Sequence, residues 1–166
     1  GTLNYEGVVF KGGVGLIVLF FLGFVLQGMN EEVICRGYFM NSLASRRPII
    51  LAIIANSVIF GLMHMMNSGV AVLPIVNIIL VGVFFSVFML KSDSIWGVCA
   101  IHTMWNFVQG NFYGIKVSGM DMSTSILKFN PTIDGALFNG GKFGLEGGLA
   151  VTAVIVISII FTLLWK

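Results

Sequence analysis

Apolar runs of membrane-spanning length, separated by short polar breaks, limit what this chain can fold into. A helix needs about 20 consecutive apolar residues to cross a bilayer. Runs near that length recur at 14–29, 48–65, 70–90, 95–109 and 149–165. Of the 166 residues, 57% are hydrophobic and 10% charged. An ordinary soluble domain carries about a quarter charged residues, so too little polar surface is present to cover this body in water. The expected fold class is therefore all-α: one polytopic transmembrane helical bundle of about five to six helices, with its polar residues inside. The 21 glycines fit close helix packing in lipid. The formal net charge of +2 is small and scattered, which excludes nucleic acid as a partner and leaves the lipid bilayer.

The breaks set the organisation. The 14–29 run flows into 31–43, giving one long helix or two joined near Gly28. Ser45-Arg46-Arg47-Pro48 stops it, and the proline is suited to starting the next helix. Asn67-Ser68-Gly69 and Lys91-Ser92-Asp93-Ser94 read as turns, and 110–148 as a mostly irregular loop. Arg46, Arg47, Lys91 and Lys166 fall on alternate helix ends, which the positive-inside rule places at the cytoplasm. The 67–69 turn and the 110–148 loop then face outward. Cys35 and Cys99 lie in apolar runs and read as buried small hydrophobes. No basic segment followed by a small-residue cleavage site stands at the start, so no signal peptide is expected.

Ionisable groups are costly in this setting, at about 2.5–3.5 kcal/mol each at mid-bilayer on insertion scales. The apolar runs nevertheless carry Glu31, Glu32, Arg36, His64, His102 and Asn106, including both histidines. Glu32 and Arg36 are spaced i,i+4, the favourable order for an ion pair on one helix face. Glu31 points about 100° away from that face. His102 and Asn106 again share a face, and Phe60 lies one turn below His64. At about 1.5 Å per residue, Glu31 lies about 18 Å from Leu43, His64 about 24 Å from Pro48, and His102 and Asn106 about 12 and 18 Å from Ser94. Three helices thus bring a carboxylate, two imidazoles and an amide to similar depth. A buried hydrolytic site needs such groups, a base for water and donors for an oxyanion. Singly, each has a plainer reading: Glu32–Arg36 as structural glue, a histidine as a packing residue, and Asn106 as an interhelical hydrogen bond. Gln109 and Trp105 extend the His102 stripe as packing, and Asn56 and Asn67 read as packing or helix-end residues.

Glu31-Glu32-x-x-x-Arg36, Phe60-x-x-x-His64 and His102-x-x-x-Asn106, in that order, resemble the three signature motifs of the CPBP family. These are the CAAX proteases and bacteriocin-processing enzymes, also called the abortive-infection family. The resemblance spans about 14–110, and the 139–148 stretch resembles a segment common in bacterial members. It implies an intramembrane endopeptidase of a bacterial cytoplasmic membrane, acting on a peptide or membrane-protein substrate. Glu31 is then the catalytic carboxylate that activates water, with His64 holding that water. His102 and Asn106 stabilise the oxyanion, and Glu32, Arg36 and Phe60 support them. A metal-free glutamate mechanism is the first expectation. A divalent ion such as Zn on Glu31, His64 and His102 is the second, since one carboxylate and two imidazoles with an open position suit zinc. The family often has phenylalanine where Cys35 stands, and commonly has further helices before its first motif. The expected unit is thus a single protease domain over 1–166, minimal or truncated at its N-terminal side. Two other functions compete: a peptide-binding bacteriocin-immunity protein without catalysis, and a small ion or metal transporter using the same acids and histidines.

Overall fold

The computed structural model describes residues 1–10 and 13–165. After strand β1 (Leu3–Val8), helix α1 (Gly13–Glu32) continues through π-helical turns (Val33–Met40) into α2 (Asn41–Ala44). The 14–43 segment is therefore one body, Gly13–Ala44, with no joint at Gly28. The widened π turns begin directly after the paired glutamates. Such turns recur at functional sites because they re-aim side chains without ending the helix. Helix α3 (Ile49–Met63) starts after Pro48, whose extended backbone stands at the N-cap position. Helix α4 (Val72–Ser92) ends on Asp93 in the left-handed region at φ 49°, a conformation aspartate tolerates better than most residues. Helix α5 (Ile95–Phe107) runs into a second π turn, Val108–Phe112. The chain closes with strand β2 (Leu127–Pro131), short helix α6 (Ala136–Asn139) and helix α7 (Leu149–Leu164).

The fold is mainly helical, but the all-α expectation needs one amendment. β1 and β2 pair antiparallel, from Leu3 with Pro131 to Val8 with Leu127, with an irregularity between Tyr5 and Gly7. Two bodies, Gly13–Ala44 and Val72–Ser92, are long and apolar enough to cross a membrane. Ile49–Met63 and Leu149–Leu164 are apolar but shorter.

The main helix pairings are α1 with α5, α3 with α4, and α4 with α7. One core cluster joins Met40, Ala52, Phe85, Met89 and Val98. A second joins Cys35, Phe60 and Ile78 to Phe143 from the loop segment. The outer helix faces expose Leu22, Leu26, Ile50, Ile157 and Phe161, apolar surface of the kind lipid covers. The 113–148 segment, whose β2 pairs with β1, forms a layer against the α3–α4 turn, where Gly119 meets Ser68 and Gly69 meets Lys142. Lys91 Nζ, at the far end of α4, donates to the Trp165 carbonyl at 2.9 Å, and Arg46 and Arg47 are exposed in their turn. Lys166, expected on this same side, lies outside the described residues.

Candidate active site

The site begins where α1 and α5 touch. A Cβ on Gly28 would lie 3.0 Å from Thr103 Oγ1, and Thr103 donates to the Phe24 carbonyl at 3.3 Å. A side chain at Gly28 would push the helices apart there; with glycine the close approach brings Glu31 and Glu32 beside His102. Glu32 is fully buried, and its Oε1 accepts from Arg36 Nη1 at 2.9 Å and from His102 Nδ1 at 2.8 Å. The i,i+4 pair read from the sequence is therefore present, and the histidine on α5 completes it as a triad. Arg36 is also fully buried, its guanidinium 4.3 Å from the Phe60 ring centre and 5.4 Å from that of Phe85.

Glu31 accepts from Gln27 Nε2 at 2.9 Å, and its Oε2 stands 3.8 Å from His102 Nε2. His102 is thus bracketed by two carboxylates, one on each ring nitrogen. His64 does not sit within its helix: α3 ends at Met63 and His64 caps it. Its Nδ1 lies 2.8 Å from the Phe60 carbonyl. A carbonyl and a carboxylate only accept, so both histidines donate through Nδ1 and leave Nε2 for a substrate or water. Phe60 meets both rings edge-on, with centroids 5.0 Å from His64 and 6.1 Å from His102. Asn106 is buried one turn after His102.

Glu31, His64, His102 and Asn106 line one cavity of about 280 Å³, with Phe60, Phe84, Phe85 and Trp105 in its apolar wall. Glu32 and Arg36 stand behind it. As a metal set, Glu31, His64 and His102 do not come together: among the described residues no three His, Cys, Asp or Glu side chains are grouped to hold an ion.

The cavity has an acidic lining residue that the sequence does not point to. Glu146 falls in the 110–148 segment expected to be an outward-facing loop, yet it is 4% exposed and lines the same cavity. Its Oε2 accepts from Gln109 Nε2 at 2.5 Å. Its Oε1 accepts from the Ser118 backbone N–H at 3.2 Å and from the Ser118 hydroxyl at 3.4 Å. Burial pushes the Glu146 carboxyl above the usual carboxylate range, and these hydrogen bonds pull it part of the way back. Asn77 Nδ2 on α4 anchors the segment by donating to the Glu146 and Gly148 carbonyls at 2.7 and 3.0 Å. Gly144, at φ 104°, lets the chain pass Lys116: a Cβ there would lie 2.1 Å from the Lys116 carbonyl oxygen. The available signal was a lone glutamate among glycines immediately before an apolar run. Gln109 is the counterpart miss, since it binds Glu146 where packing was expected.

The sequence profile described as type II CAAX prenyl endopeptidase Rce1-like matches residues 13–108, which include all three motif pairs. The chain belongs to this family. The match supports a CAAX-protease-like membrane enzyme with a peptide or protein substrate. No curated protein and no solved structure matches the chain significantly. Glu146 lies beyond the matched residues.

Proposed function

We propose that the chain is an intramembrane endopeptidase in which Glu31 activates water. The observation that supports this best is the bracketing of His102 between Glu31 and Glu32, on a cavity shared with His64 and Asn106. Water held on His64 Nε2 gives a proton to Glu31, and its oxygen bonds to the scissile carbonyl carbon. The oxyanion accepts from the Asn106 amide and from Nε2–H of a protonated His102. Glu32 balances that imidazolium charge, and Arg36 keeps Glu32 from standing alone in the interior. When the C–N bond breaks, Glu31 returns its proton to the leaving amine. The extended substrate backbone enters between helices, since irregular backbone at that depth needs protein or a wet cavity around it.

The reading is the metal-free one, in which Glu31 acts as the base, and no step is routed through an ion. The Arg46, Arg47 and Lys91 end is the cytoplasmic one in this reading.

The test is cleavage of a quenched fluorescent peptide library by purified protein in detergent, for wild type and Glu31→Gln, with and without chelator. Cleavage lost in Glu31→Gln and indifferent to chelator is expected. Cleavage lost on chelation replaces the glutamate mechanism with a metal one. No cleavage by wild type, with peptide still bound, moves the reading to a non-catalytic peptide-binding or immunity role.

A further inference from the structure

Glu146 is a buried carboxylate that this mechanism leaves unused. It lies on the reaction cavity, yet no lysine, arginine or histidine stands within ion-pair distance of it among the described residues. The contrast with its neighbours is informative. Glu32 has Arg36 and His102, and Glu31 has His102 at 3.8 Å. Lys116, the nearest loop cation in sequence to Ser118, is taken by Asp121 at 2.8 Å. Glu146 is instead held by three neutral donors, which orient a charge without neutralising it.

A second polar group beside it lacks a partner. Gln109 is 4% exposed and turns its amide nitrogen to both Glu146 Oε2 and the Lys116 carbonyl. Its Oε1 is buried with no hydrogen bond. Glu146 thus lines the cavity without a counter-charge, held from behind by an amide that is not itself on the cavity wall. An ammonium group supplies the missing charge, with N–H donors for the carboxylate.

We propose that Glu146, oriented by Gln109, forms a subsite for a cationic group of the substrate, a lysine side chain or a free amine flanking the scissile bond. This rests on the endopeptidase reading for its substrate and deepens it: the substrate is an apolar peptide with one basic group. The apolar wall takes the peptide's hydrophobic side chains while Glu146 fixes its register relative to Glu31. The site is held rigidly enough for this. The Glu146 backbone is tied to Asn77 on α4, and Thr152 on α7 donates to Asn77 Oδ1 at 2.7 Å. A bound ammonium also relieves the burial of an unpaired carboxylate, which adds to its affinity.

The test uses the purified full chain in detergent at pH 7.5. Matched apolar peptides carry lysine, N-acetyl-lysine or glutamate, scanned through the positions around the cleaved bond. Wild type is expected to favour lysine over N-acetyl-lysine about tenfold in kcat/KM at one or two positions, as one desolvated charge-assisted pair implies. Glu146→Gln is expected to remove that preference, and the loss is read in KM rather than in kcat. A wild type indifferent to the lysine charge overturns the proposal. So does a Glu146→Gln protein that keeps the preference, or one that loses activity equally on all peptides. Should Glu146→Gln not fold, Gln109→Met leaves the carboxylate and removes the amide that orients it, and an unchanged lysine preference there overturns the proposal. Peptide binding to Glu31→Gln, read by fluorescence anisotropy, separates the two readings. Lysine-selective binding without cleavage by wild type keeps the subsite and ends the endopeptidase reading. Cleavage blind to charge does the reverse.

Discussion

Glu32 and Glu146 are both buried carboxylates in the same helical body, and they are kept there by opposite means. Glu32 lies on a helix with Arg36 one turn away and His102 across the α1–α5 contact, so its charge is matched within 2.9 Å. Glu146 lies in an irregular segment and is met only by amide and hydroxyl donors. A matched buried charge builds rigid scaffolding, and its partners are costly to remove. An unmatched one is costly as it stands, and that cost falls when a cation arrives. The helical half therefore reads as chemistry and support, and the loop layer as recognition.

The comparison can be broken or sharpened at several points. The largest effect is expected from Glu31→Gln, which removes the base and should reduce peptide hydrolysis by about 10²–10⁴. Steady-state cleavage of the best library peptide measures it, and full retained activity ends the assignment of Glu31. Next is Arg36→Met, which strands Glu32 in the interior and should cost about 3–5 kcal/mol of stability. Thermal unfolding in detergent checks this. The double change Arg36→Met with Glu32→Leu should recover most of that stability but not activity, because His102 loses its Nδ1 partner. If the double variant is fully active, the triad is scaffolding alone. Asn106→Ala should lower kcat by about 10²–10³ with little change in KM, and a loss confined to KM would remove Asn106 from the oxyanion role.

Glu146 supplies a smaller effect whose sign is set by its environment. Burial raises its folded pKa above the ordinary 4.5, so between the two values the folded chain binds the proton more tightly than the unfolded chain. Stability from this group is present at low pH and is lost as pH rises through the folded pKa. The melting temperature of wild type should thus fall more steeply above pH 4.5 than that of Glu146→Gln. Glu31, His64 and His102 share the cavity and the Lys116–Asp121 pair lies close by in the loop layer. Parallel pH profiles would show that Glu146 is already compensated, erasing the contrast with Glu32. The smallest effect is reserved for Lys116→Ala. Its pair with Asp121 is exposed, and such pairs contribute about 0–1 kcal/mol.

What could be read in advance follows the range of the interactions involved. The helices, the turn at Pro48 and the Glu32–Arg36 pair depend on spacings of three or four residues along one chain segment. Apolar periodicity and i,i+4 geometry report such spacings directly. The same spacings pick out His102 with Asn106 and Phe60 with His64, and these residues do line one cavity. The sequence alone thus determined a helical, lipid-compatible body with acids and histidines gathered inside it. Tertiary structure decided the rest. His102 joins Glu32 across 70 residues, β1 pairs with β2 across 119 to 128, and Glu146 reaches Gln109 across 37. No local pattern encodes those partners, because they depend on how closely helices approach at Gly28 and how the chain turns at Gly144. A charged residue in a glycine-rich loop looks solvated by composition. Only packing shows that its carboxylate has been turned inward onto the cavity, with no cation in ion-pair distance among the described residues.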